Sequence, residues 1–156
     1  MPRLENARGF TLLELLVVMM IVGLSLGMVS FSASQSAAKD LQNDAQRISL
    51  LLQLARDEAI VRDRPVAFEV DDNHYDFLVK DDADWAPISD DDLMRAREFK
   101  RAPVTVTMTP QPQPGKGALR IVFGREPVDK PFVLRLSQGD DSVAIQADGI
   151  GHFTVQ

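Results

Sequence analysis

Cysteine is absent from the chain. No disulfide can staple it, so an exported domain of this sequence rests on its own apolar core. Histidine is nearly absent: His74 and His152 stand far apart, without metal-ligand spacing, so no metal site is expected. Basic residues are the minority, 17 Lys and Arg against 23 Asp and Glu, for a formal net charge of -6. That balance argues against nucleic acid as a partner, because phosphate binding needs clustered Lys and Arg. Catalytic signatures are missing too. Gly115-Lys116-Gly117 is no phosphate loop, since G-x-x-x-x-G-K-[ST] does not occur. No serine stands in a nucleophile elbow, and no carboxylate pair is assignable. The sequence predicts neither an enzyme nor a cofactor.

Two further gaps mark the N-terminal third. No Lys or Arg occurs between Arg8 and Lys39, and no Pro between Phe10 and Arg64. Between them lies an apolar run from Phe10 to Phe31, interrupted only by Thr11, Glu14, Gly23, Ser25, Gly27 and Ser30. About 20 apolar residues suffice to cross a bilayer as a helix, and this run rises roughly 33 Å at 1.5 Å per residue. Arg3, Arg8 and the amino terminus precede it against one acid, Glu5, a bias that keeps the first nine residues cytoplasmic. Glu14 is the one charge inside the run. A carboxylate at that depth costs on the order of 3 kcal/mol and is a functional-site hypothesis by default. A secretory signal peptide cut near Ser32–Ala38 is the bland alternative, but it leaves Gly9-Phe10 and Glu14 without a purpose.

The next segment is amphipathic. Leu41, Ala45, Ile48, Leu51, Leu52, Ala55 and Ala59 recur at steps of three and four, which predicts one buried helical stripe. A single helix from about Phe10 to about Val61 follows, stopped by Pro65. Gly23 and Gly27 have the spacing of a close helix–helix contact, although glycine is common in membrane helices anyway.

Beyond Pro65 the period changes to two. Val66-Phe68-Val70 and Tyr75-Phe77-Val79 flank the turn Asp71-Asp72-Asn73 as a hairpin. Residues 81–92 read as an acidic loop around Trp85, and Leu93–Arg101 is ambiguous. Strands are expected at Val104–Val106, Ala118–Phe123, Phe132–Leu136, Ser142–Gln146 and His152–Val155. The Asp runs in the acidic loop do not follow the D-x-[DN]-x-[DN]-G calcium pattern, so a solvated loop is the reading. Trp85 is either a plug over the sheet or an exposed anchor. A helix first and about seven antiparallel strands afterwards is α+β.

The stretch Gly9-Phe10-Thr11-Leu12-Leu13-Glu14-Leu15 resembles the class III signal of type IV pilins and type II secretion pseudopilins. The layout of Trp85, Ile121-Val122-Phe123-Gly124, Phe132–Leu136 and Gly149-Ile150-Gly151-His152-Phe153 is similar to the H-type minor pseudopilins and their minor-pilin relatives. The resemblance implies cleavage between Gly9 and Phe10 by a prepilin peptidase, methylation of the new amine on Phe10, and an assembly role for Glu14. It implies a leader over 1–9, a membrane and assembly helix over 10–31, its amphipathic continuation over 32–62, and a periplasmic β-rich domain over 63–156. Implied partners are other minor pseudopilins, the major pseudopilin, the peptidase, the inner-membrane assembly platform and the lipid bilayer. The implied place is the inner membrane, single-pass, with the C-terminal domain in the periplasm, and then the pseudopilus near its tip. Two alternatives stand beside it: a minor pilin of a type IV pilus, and a membrane-tethered periplasmic binding or enzyme domain.

Overall fold

The computed structural model describes residues 11–82, 84–89, 91–111, 118–126 and 130–156, with the side chains of 27–35 left out. Gly9 and Phe10 lie outside the described residues. The chain divides into two compact units, Met1–Ser36 and Ala37–Gln156. One helix, α1 (Leu12–Val61), contributes to both.

In the first unit α1 starts at a cap. Thr11 precedes the helix, and the Glu14 N–H donates to its Oγ1 at 3.3 Å and to its carbonyl at 3.1 Å. In the second unit all seven residues of the expected stripe, Leu41 to Ala59, are buried. Pro65 is not what closes the helix. Asp63 adopts φ 53°. The Arg64 N–H donates to the Ala59 carbonyl at 3.2 Å, and the Asp63 N–H to the Ile60 carbonyl at 3.3 Å. This paired return of N–H groups is a Schellman cap with aspartate where glycine is usual.

Among the described residues nine strands follow, two more than expected: β1 (Val66–Val70), β2 (His74–Asp81), β3 (Asp84–Pro87), β4 (Arg97–Glu98), β5 (Thr105–Thr109), β6 (Leu119–Phe123), β7 (Phe132–Gln138), β8 (Asp141–Ala147) and β9 (Phe153–Val155). The additional pair, β3 and β4, come from the acidic loop and the ambiguous segment. Both add to β2, β3 at Leu78–Asp81 and β4 at His74–Tyr75. The first sheet runs β3-β2-β1-β6, with β4 also on β2; the second runs β5-β7-β8-β9. Among the described residues every strand pairing is antiparallel.

Alternation decides the inner faces. Val66, Phe68 and Val70 face inward on β1, matched in register by Val79, Phe77 and Tyr75 on β2 and by Phe123, Ile121 and Leu119 on β6. Leu134, Leu136, Val143 and Ile145 do the same on the second sheet. These faces and the helix stripe form one core cluster. Phe68 sits at its centre, fully buried, with ring centroids 5.2 Å from Phe77 and 5.9 Å from Tyr75.

Polar contacts tie the β4–β5 connection to α1. Asp40 pairs with Lys100 at 3.5 Å and with Arg101 at 3.0 Å. The Lys100 N–H donates to Asp44 Oδ2 at 3.2 Å. Asp44 is buried, and desolvation pushes its carboxyl above the ordinary aspartate range against the Lys100 hydrogen bond and the Arg47 charge, which lower it.

Candidate functional site

The Thr11–Glu14 cap is the first element of the site. Thr-x-x-Glu ahead of an apolar helix is a capping box: the threonine accepts the N–H of the third helical residue, and that residue is an acid. Glu14 also stands in the first turn, where the helix dipole favours negative charge. The spacing was visible in the sequence, but its capping role was masked by the stronger signal of a charge in an apolar run.

Beyond the cap the helix presents apolar side chains outward. Leu12 is 81 % exposed and Met19 71 % within the chain. Apolar surface on this scale marks a binding or membrane-facing region. Ser25 keeps its polarity internal by donating its hydroxyl to the Ile21 carbonyl at 2.8 Å. A methyl group at Gly23 meets nothing within 4 Å, so no contact inside the chain requires glycine there. The side-chain surroundings of Gly27 lie outside the described residues. Among the described residues no helix is long and apolar enough to cross a membrane. The expected span over 10–31 begins and ends outside the described side chains, which run from Thr11 to Leu26 there.

Both histidines serve loops. Asp71 Oδ1 accepts the N–H groups of Asn73 at 2.7 Å and His74 at 2.8 Å, while its Oδ2 lies 2.9 Å from His74 Nδ1. Asp148 repeats the device: Oδ1 accepts Ile150 N–H at 2.8 Å and His152 N–H at 3.0 Å, and Oδ2 lies 2.6 Å from His152 Nδ1. Backbone hydrogen bonds from His74 and Asn73 hold the Asp71 carboxyl below its ordinary range. For Asp148, desolvation raises the value, and the hydrogen bonds from His152 and Ile150 outweigh it, leaving the group at about 2. A carboxyl lowered in the folded state stabilises above its unfolded value and loses that contribution as pH falls through the folded one. Between about pH 4 and pH 2, denaturant midpoints are expected to fall more steeply for the native chain than for Asp71→Asn/Asp148→Asn. Equal slopes refute the linkage.

The loop Asp148 organises also needs Gly151. Its φ is 111°, and a Cβ built there stands 2.3 Å from Arg56 Nη1. Arg56 is itself buried. Gly151→Ala is therefore expected to lower stability by about 1–3 kcal/mol, measured by chemical unfolding; a neutral effect refutes the close approach.

Trp85 behaves as a plug. It projects from β3 onto the outer face of the first sheet, half-buried, and the Arg120 guanidinium lies 5.4 Å from its ring centroid. Arg120 stands on β6, three strands away, so the two side chains meet across the outer face. Ala67 and Leu78 lie on that face between them and are buried all the same. Arg120 is held in turn by Glu69 at 2.8 Å. Among the described residues no group of three or more His, Cys, Asp or Glu is placed to hold a metal ion.

A family model described as Type II transport protein GspH matches residues 44–151, and one described as Prokaryotic N-terminal methylation motif matches residues 5–30. Type II secretion system protein H of Pseudomonas aeruginosa is 31% identical over 144 residues, covering 88% of this chain and 80% of that protein. Its namesake from Aeromonas hydrophila is 28% identical over 172 residues, covering 97% and 94%. Among solved structures, the minor pseudopilin EpsH from the Type 2 Secretion System of Vibrio cholerae aligns with a TM-score of 0.58 at 18% identity, over 75% of this chain and 96% of that one. E. coli GspH gives 0.59 at 17% identity, over 77% and 89%. The type IV minor pilin FimU of Pseudomonas aeruginosa gives 0.55 at 15% identity, over 76% and 89%. At these identities the structural matches establish a shared fold and nothing further.

Proposed function

The chain belongs to the Type II transport protein GspH family, and from that premise we propose that it works as an H-type minor pseudopilin, a structural subunit of a type II secretion pseudopilus. One observation carries the reading: a methylation-motif match over 5–30 and a GspH match over 44–151 share one chain, and Glu14 lies within the first of them. In this reading prepilin peptidase removes residues 1–9, and Phe10 becomes the methylated first residue. The segment 10–31 is held in the inner membrane until assembly, and the β-rich domain lies in the periplasm. The apolar face from Leu12 to Leu26 is covered first by lipid and then by the helices of neighbouring pseudopilins. Gly23 gives room for close helix approach there, and Gly27, four residues on, has the spacing to share that contact. The chain itself catalyses nothing; the assembly platform and a separate cytoplasmic ATPase drive its movement.

Glu14 supplies the register. Cleavage creates an ammonium on Phe10 in apolar surroundings, and a buried charge is tolerated when paired. Glu14 of an incoming subunit meets the Phe10 amine of a neighbour only in the correct axial position.

The likeness to FimU favours a second reading, a minor pilin of a type IV pilus, but both sequence relatives carry the secretion name. The mass of the chain purified from its own membranes tests processing directly. The expected species begins at Phe10 and carries one added methyl group. A functional chain that keeps Met1 refutes the assembly role and leaves a membrane-tethered domain.

A further inference from the structure

The outer face of the second sheet differs from the rest of the surface. The register aligns Thr107, Arg135, Ala144 and Gln156 in one row across β5, β7, β8 and the end of β9. The rows on either side, through Ser137 and through Val133, add only Thr, Ser, Gln and Val side chains. No Asp, Glu or Lys occurs on these rows, in a chain with 23 acidic residues. Arg135 is thus the single charged side chain, exposed, near the middle of the face. Among the described residues no carboxylate pairs with it, whereas Arg120 on the first sheet is held by Glu69 at 2.8 Å. The Gln156 amide donates to the Gln146 side chain at 2.9 Å, so that end of the face is already tied internally.

Depletion of charge around one central arginine is a pattern of protein interfaces rather than of freely solvated sheets. We propose that this face is a docking surface for a folded protein partner that presents one carboxylate among small uncharged side chains, received by the Arg135 guanidinium. A guanidinium binds a carboxylate through two parallel hydrogen bonds, which fixes orientation as well as affinity. A second copy of the same face is excluded as occupant, because it brings two arginines together. Strand and row spacings give the face about 400 Å². That is about half of one partner's share of a standard interface, which suits a reversible contact. The inference does not depend on α1 and stands apart from the pseudopilus reading.

The test uses the full-length chain in its native host, with a photo-crosslinking residue at Ala144, beside Arg135 in register. The expected result is a discrete protein adduct whose yield falls about tenfold with Arg135→Glu. Exchanging the partner's contacting acid for arginine is expected to restore it. An absent adduct, one indifferent to Arg135→Glu, one digested by a muramidase, or one to a second copy of this chain overturns the proposal. The same crosslinker at Gln53, exposed on α1, reports helix packing separately. Loss of the Gln53 adduct with the Ala144 adduct intact counts against the pseudopilus and not against this surface.

Discussion

Glu14→Gln is expected to leave cleavage and membrane insertion intact and to cut entry into the filament about tenfold or more, since breaking a buried charge pair costs about 3–5 kcal/mol. Glutamine is the informative replacement. The capping box accepts Gln as readily as Glu in its third helical position, so the Thr11–Glu14 start of α1 survives the change while the charge does not. Glu14→Leu removes both, and Thr11→Val removes the cap and keeps the charge. Filament fractions quantified beside membrane fractions separate the two roles. Normal assembly by Glu14→Gln sinks the ion-pair register, and a defect only in Thr11→Val and Glu14→Leu moves the function to the cap.

Phe68→Ala is expected to lower the unfolding free energy by about 3–5 kcal/mol. The residue has no exposed surface, its ring touches those of Tyr75 and Phe77, and β1 lies between β2 and β6. A cavity there borders both neighbouring strands. No disulfide exists to hold the native arrangement when the core loosens. Phe68→Leu keeps most of the volume and is expected to cost less than half as much. Denaturant midpoints of the full chain give both values, and a loss below about 1 kcal/mol for alanine refutes the central placement of this ring.

Much of the architecture was legible because periodicity carries it. The buried stripe of α1 and the alternation on β1, β2 and β7 are geometric statements about one face, and burial follows them apart from Ala67 and Leu78, which are buried on the outer face, and the half-buried Val79. What escaped was structure whose side chains do not alternate in polarity. β3 reads Asp-Trp-Ala-Pro, so acidity disguised it as a loop; its pairing comes from the tight return at Asp82, with φ 48°. β4 has only two residues, Arg97 and Glu98, and no pattern fits in two positions. The end of α1 was expected from Pro65, yet Asp63 ends it by taking a left-handed conformation that glycine signals and aspartate does not. The spacing of the two histidines speaks only against a metal site, and their aspartate partners Asp71 and Asp148 emerge only from loop geometry.

The grip of Asp40 and Asp44 on Lys100 and Arg101 has a mechanical side. These bonds and the buried stripe are spread along the same stretch of α1, from Asp40 to Ala59. A force drawn along that helix therefore loads them in shear, all at once, and not one after another as in peeling. Within the Ala37–Gln156 unit the strands are thus riveted to the Asp40–Ala59 stretch at many points, and pulling on that stretch loads every rivet before any single one gives way.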